Sequence, residues 1–444
     1  MAANTALFPD ASHFTIQGSQ FTTTQTNNIQ SLAVDSALEI LHRHQALEAT
    51  HTSKTAASAP KCKPGTRTKA IKDITSWATD RGADPSSSAE SVLWLRGPAG
   101  AGKTCIMREV ARICRQEGVL AGDYFFSTRV PGLDDEAPFV ATIVSHLITV
   151  TPALDHPVRE TIRSSSTIFK QSLELQVEKL IFNQLASIPP QTPAPRVLVV
   201  DGFDECRDPR QRAHLLRILH SLVASPYSFR VVIACRPEYD IRSAFDQPPL
   251  KSIAKILYLE AYQVSGEIYE YLSDEFTRIR ETHPAKDSIP SEWPGQAMLH
   301  ALTDKASGIF AYPSTVIKYI DNHRRHPVDL LEHILRPSST LSSGEPFAEL
   351  DALYKIILNP PDTDMPLMKR LLHVVMEITQ LPTGYKSNSG VEELVQTRGP
   401  DSNDPITRLT HQILSPPLLD KFLSLRGGNN GNDSLRPAFA NLSL

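Results

Sequence analysis

The residues best suited to chemistry in this chain are gathered in three short stretches. The first is Gly97-Pro98-Ala99-Gly100-Ala101-Gly102-Lys103-Thr104, which fits G-x-x-x-x-G-K-[ST]. Its glycines let successive backbone N–H groups turn inward around phosphate oxygens, and a following helix adds its positive end. In that pattern Lys103 reaches the β- and γ-phosphates and the Thr104 hydroxyl ligates Mg²⁺. Cys105, next in sequence, completes the candidate nucleotide-binding set. The competing reading is a glycine-rich turn with an exposed lysine.

The second stretch is "RVLVVDGFDEC". An apolar run releases Asp201 at its carboxyl end, where ligands of parallel sheets bind. That is the place for an acid that holds the Mg²⁺ shell. Asp204 and Glu205 follow within a turn, and either can polarise an attacking water as a general base. The alternative for these two is an acidic cluster at a helix start. The third stretch is "VVIACRPE", in which Arg236 leaves another apolar run. Its planar, bidentate guanidinium suits a γ-phosphate sensor; a salt bridge to Glu238 or to one of the acids near Asp201 is the alternative.

Five apolar segments are expected to position these groups as strands: 91–96, 123–127, 196–200, 230–235 and 255–260. Helical patterns alternate with them, beginning at about Lys103–Glu117. In "LELQVEKLIFNQLASI", Val177, Leu180, Ile181, Leu185 and Ile188 share one face. Such alternation specifies an α/β fold with a parallel five-stranded P-loop NTPase sheet flanked by helices. After Ala261 the strand signals stop, and an all-α helical extension follows. Residues 14–30 read as a hairpin or a mostly flexible tail, and an amyloid-type signalling motif is conceivable there. Residues 37–48 read as a short helix.

The 444 residues carry a formal charge of −4, with 41% hydrophobic and 21% charged residues. That balance is ordinary for a soluble globular protein and argues against a nucleic-acid binder. The five cysteines form no CxxC pair, so neither a disulfide framework nor a zinc site is suggested, and a reducing compartment fits. No leader or membrane span is read, and a cytoplasmic location is expected. The absence of an NKxD motif favours ATP over GTP. An LSGGQ-like signature is also absent. A metabolic kinase would need a second-substrate pocket and lid arginines that the sequence does not reveal.

Taken together, "WLRGPAGAGKT", "VLVVDGFDEC" and "VVIACRPEYDIRSAF" resemble fungal NACHT proteins of the signal-transducing (STAND) P-loop NTPase class. Their P-loop domain is similar to the nephrocystin-type N-terminal domain. "PKCKPGTR", "KASGIFAYPSTVIKYI" and "PFAELDALYKIIL" resemble further segments of that family. The resemblance implies a switch that is off with ADP and self-associates with ATP, used in innate-type immunity or self-recognition through unidentified protein partners. It implies phosphate contact by Lys103 and Thr104, a Mg²⁺ role for Asp201, hydrolytic roles for Asp204 and Glu205, a sensor role for Arg236, and a place near the nucleotide for Thr66 and Arg67. Slow Mg²⁺-dependent ATPase activity is expected. The alternative is a nucleotide-bound scaffold that scarcely turns over, from a truncated gene.

The expected division is a flexible N-terminal segment at 1–59, a NACHT-type P-loop domain at 60–262, a helical domain at 263–336, linker helices at 337–382 as a remnant of a winged-helix region, and a degenerate tail at 383–444. Pro313 departs from the family pattern, which has a small residue there.

Overall fold

The computed structural model describes residues 36–58, 62–80, 90–188, 196–336 and 348–358. The expected hairpin at 14–30, most of the linker region expected at 337–382 and the tail at 383–444 lie outside them. Five strands form one all-parallel sheet: β1 (Val92–Arg96), β2 (Leu120–Phe125), β3 (Arg196–Asp201), β4 (Phe229–Cys235) and β5 (Ala254–Tyr258), in the order β2-β3-β4-β1-β5.

The strands read as unbroken apolar runs because both faces of the sheet are covered. Val92 and Trp94 of β1, Leu198 and Val200 of β3, and Val231 and Ile233 of β4 enter one core. Their neighbours Leu93, Leu95, Val197, Val199, Val232 and Ala234 enter the other. The first core is roofed by the helices Phe139–Val150 and Pro209–Val223, the second by Thr68–Thr79 and Lys103–Gln116. Parallel pairing of β1 with β4 brings Arg96 beside Cys235, and pairing of β3 with β4 brings Asp201 beside Ala234. The carboxyl ends that carry the three chemical stretches therefore lie side by side.

Three local readings differ from expectation. β2 begins three residues earlier than expected, at Leu120, and ends at Phe125; its Asp123 is fully buried. Its Oδ2 is held by His51, which donates from its backbone N–H at 2.7 Å and pairs through Nδ1 at 2.5 Å, while Oδ1 lies 3.1 Å from His146 Nδ1. This tie, with buried Ala37, Leu41 and Ala49, holds residues 36–58 against the sheet. The expected flexible segment therefore does not run to residue 59. The helix expected over 173–188 is α-helical at Leu173–Val177 and Asn183–Ser187, with a π turn at Glu178–Phe182 between them.

Beyond the sheet come the helices Ser265–Thr282, Gln296–Ala306, Ala311–Ile320, Pro327–Leu335 and Ala348–Leu358, packed around a third core that includes Ile268, Leu272, Phe276, Leu302, Val316 and Leu331. Pro313 is the third residue of its helix. There its missing N–H costs no intrahelical bond, which accommodates the departure. No helix among the described residues is long and apolar enough to cross a membrane.

Candidate nucleotide site

The phosphate loop leaves β1 at Gly97 and enters the helix Lys103–Gln116 through Gly102. Gly100 and Gly102 have φ of +71° and +91°, a region that L side chains rarely adopt. The loop is also clamped from outside. A Cβ on Gly97 would meet Leu259 at 3.0 Å, and one on Gly100 would meet the Ala311 Cβ at 2.6 Å. Ala311 donates its backbone N–H to the Gly100 carbonyl at 3.1 Å. The helical extension thus rests directly on the loop.

Lys103 folds back, donating from Nζ to the Gly97 and Pro98 carbonyls at 2.8 Å each. Burial pulls its pKa below the usual lysine range, while nearby Asp204 and Asp201 oppose that shift. Asp201 ends β3 and is buried. Burial pushes its carboxyl up to about 6, against a hydrogen bond donated by Thr104 and the charge of Lys103. Its Oδ1 is buried without a hydrogen-bond partner. A buried carboxylate near a threonine hydroxyl and a lysine, with its Oδ1 left bare, fits a hard divalent cation such as Mg²⁺.

Gly202, at φ +63°, turns the chain from β3 into the 3₁₀ turn Phe203–Glu205. A Cβ there would lie 2.8 Å from the Phe126 carbonyl oxygen. The turn aims the two acids differently. Asp204 accepts from the Arg236 backbone N–H at 3.0 Å and from its Nε at 2.5 Å. Glu205 accepts from the Thr128 backbone N–H at 2.9 Å and its hydroxyl at 3.3 Å. Arg236 is half exposed, with Glu238 at 4.0 Å. The salt-bridge alternative for Arg236 is therefore the arrangement observed.

Arg67 is buried with φ +56°. Its guanidinium donates to the Ala101 carbonyl of the loop at 2.7 Å and to the Gly308 carbonyl at 3.4 Å, and lies 4.9 Å from the centre of the Phe310 ring. Its backbone N–H donates to Glu267 at 2.8 Å. The Thr66 hydroxyl donates to the Lys63 carbonyl within its own turn at 2.7 Å. Sequence reasoning missed Gly202, Thr128, Leu259, Glu267 and Ala311. Only Gly202 left a local signal, a glycine directly after the strand-ending acid.

The structure thus brings the loop, Lys103, Thr104, Asp201, Asp204, Glu205 and Arg236 to one edge of a parallel sheet, with Arg67 behind the loop. This is the arrangement of a P-loop NTPase-like domain. Residues 65–236 match the family model described as Nephrocystin 3, N-terminal, which supports a nephrocystin-type P-loop domain over that span. No curated protein matches the chain. Among solved structures, a chain of the Drosophila ORC bound to DNA shares 12% identity at a TM-score of 0.35, covering 98% of this chain and 97% of that one. The Aeropyrum pernix ORC2 protein, solved as ADPNP–ADP complexes, shares 14% identity at a TM-score of 0.34, covering 87% of each chain.

Proposed function

We propose that the chain is an ATP- and ADP-binding switch of the NACHT type, cytoplasmic, with slow Mg²⁺-dependent ATPase activity and self-association in the ATP state. The observation that carries this reading is the bare Oδ1 of buried Asp201, at the end of β3 near Thr104 and Lys103. Thr104 and Asp201 would hold Mg²⁺, which when bound supplies positive charge at the β- and γ-phosphate oxygens. The N–H groups of Gly97 to Cys105 would line the phosphates. Lys103 would exchange its two loop carbonyls for phosphate oxygens, so its present bonds prepay part of its desolvation. Glu205 or Asp204 would take a proton from the attacking water, and Arg236 would leave Asp204 for the γ-phosphate.

The contact of Ala311 with Gly100, and of Arg67 with Ala101, Gly308 and Phe310, supports a relay from the loop to the helical extension. By family resemblance the output is signalling in fungal innate-type immunity or self-recognition. A second reading, the scarcely hydrolysing scaffold, is favoured by the engagement of both acids with Arg236 and Thr128. Steady-state ATP turnover decides between them. The switch requires release of phosphate above the Lys103→Ala background; wild type indistinguishable from that background establishes the scaffold.

A further inference from the structure

Asp204 and Arg236 stand on two separate stretches of chain. Asp204 and Glu205 lie in the turn Phe203–Glu205 after β3, and Arg236 directly follows β4, just ahead of the helix Tyr239–Phe245. The two stretches meet where Asp204 accepts from the Arg236 backbone N–H at 3.0 Å and from its Nε at 2.5 Å. Under the proposed function that Nε leaves Asp204 for the γ-phosphate. A contact that helps order the acid-bearing turn at rest is then broken at the moment the turn is needed.

Arg212 makes a second tie between the same two stretches. It is the fourth residue of the helix Pro209–Val223, and its side chain is 12% exposed. Its Nε donates to the Asp240 carboxylate at 2.7 Å, and its Nη1 donates to the Cys206 carbonyl at 2.7 Å and reaches the Asp204 carbonyl at 3.5 Å. Asp240 is the second residue of the helix Tyr239–Phe245. The arginine thus spans from the end of the acid-bearing turn to the helix that follows Arg236. Its own root is fixed. Asp208 caps the helix by accepting the Arg210 N–H at 2.8 Å, and the Asp208 carbonyl accepts the Arg212 N–H at 3.0 Å. Leu215, Leu216 and Leu219 bury the same helix in the core. A planar guanidinium serves two acceptors in fixed directions, whereas a lysine ammonium is a point charge on a flexible stem. Pairing with Asp240 also offsets the charge, so the tie adds little net charge beside the phosphates.

We propose that Arg212 is a positioning residue of the nucleotide site, anchoring the turn that carries Asp204 and Glu205 to the helix Tyr239–Phe245, so that Arg236 can leave Asp204 without displacing the acids. Arg212 touches neither nucleotide nor water in this role; it acts through the Cys206 carbonyl and the Asp240 carboxylate. The role is the same whichever of the two acids takes the proton. It rests on the hydrolytic reading of the site. The hold on the turn itself does not.

The test compares full-length wild type with Arg212→Lys, Arg212→Met, Asp240→Ala and the double variant Arg212→Lys with Asp240→Ala. Single-turnover hydrolysis of Mg²⁺-ATP should slow by roughly tenfold or more in both Arg212 variants and by roughly threefold or more in Asp240→Ala, because small misplacements of reacting groups are costly. Mg²⁺-ADP affinity by calorimetry should stay within about threefold, since the anchor bears on the acids and not on the phosphate loop. The double variant should be no slower than Arg212→Lys alone, within about twofold, because both substitutions cut one anchor. Hydrogen exchange should accelerate by roughly fivefold or more over residues 203–207, with β3 and β4 unchanged. Hydrolysis at the wild-type rate in the Arg212 variants, hydrolysis and ADP affinity falling together, or effects that multiply in the double variant would overturn the proposal. If Arg212→Met does not fold, Arg212→Lys and Asp240→Ala carry the test. A wild type that hydrolyses no ATP overturns the hydrolytic reading instead. Exchange over 203–207 then decides the anchor, acceleration upholding it and an unchanged rate overturning it.

Discussion

Asp201 carries a cost that its proposed role explains. A buried carboxyl pushed up to about 6 from the unfolded value of 3.8 binds its proton more tightly in the folded chain than in the unfolded one. Its contribution to stability therefore rises as pH falls from about 6 towards 4, and at neutral pH the buried charge is destabilising. Asp201→Asn should raise the thermal midpoint of the nucleotide-free chain at pH 7.5 by a few degrees (~2–5 °C), while abolishing any Mg²⁺ dependence of nucleotide affinity. A fall in the midpoint, or an intact Mg²⁺ effect, counts against the assignment. The acids beyond it act differently. Glu205→Gln keeps an oxygen for the Thr128 N–H but cannot take a proton, and Asp204→Asn likewise keeps a partner for Arg236. Nucleotide binding should stay within about threefold, while one of the two substitutions slows single-turnover hydrolysis by roughly 10²-fold or more. Lys103 and Asp201 were legible because each closes or follows a continuous apolar run. The partners of the next two acids were not, since Thr128 lies 77 positions from Glu205 and Arg236 lies 32 from Asp204. Such pairings are made by the sheet order, which brings β2 and β4 to either side of β3.

At the level of elements, the phosphate loop is held between two parts of the chain. Gly100 is where the clamp is tightest, combining a positive φ with the 2.6 Å approach to Ala311. Gly100→Ala should destabilise by about 2–3 kcal/mol, from left-handed strain plus displacement of the extension, and lower the midpoint in thermal melts. A midpoint unchanged within a degree would show that the loop does not bear on the extension. Arg67→Ala removes the cation that Ala101, Gly308 and Phe310 share. Hydrogen exchange should then accelerate at least tenfold in residues 305–315 and leave β1, β3 and β4 protected. Uniform acceleration across the sheet would instead make Arg67 a general core residue. The five strands were readable from β-branched and aliphatic runs, although β2 hid its start in Leu120, Ala121 and Gly122, which carry weak strand preference. The π turn at Glu178–Phe182 left no trace in the apolar periodicity, because the extra residue changes the helix phase by less than the width of its buried face. The short helix read over 37–48 stands at Ser36–His44, but the docking of residues 36–58 was not legible, because part of their anchor is a buried carboxylate on another element, Asp123.

For the molecule as a whole, the proposed switch makes nucleotide state visible as assembly state. The Glu205→Gln chain with Mg²⁺ and ATP should show a larger mass by light scattering than with ADP, and a larger mass than wild type after ATP has been consumed. Equal masses under all nucleotides would leave the site without this output. The central claim, that Gly97–Cys105 with Asp201 is a nucleotide site, is tested most directly by calorimetry with Mg²⁺-ADP on wild type and on Lys103→Ala. Lys103 makes charge-assisted hydrogen bonds in this pose, each worth about 1.5–3 kcal/mol when redirected to phosphate. Wild type should bind saturably, one to one, and Lys103→Ala at least tenfold more weakly at an unchanged fold. Equal affinity in the two proteins, or no binding heat in wild type that has been freed of bound nucleotide, would contradict it.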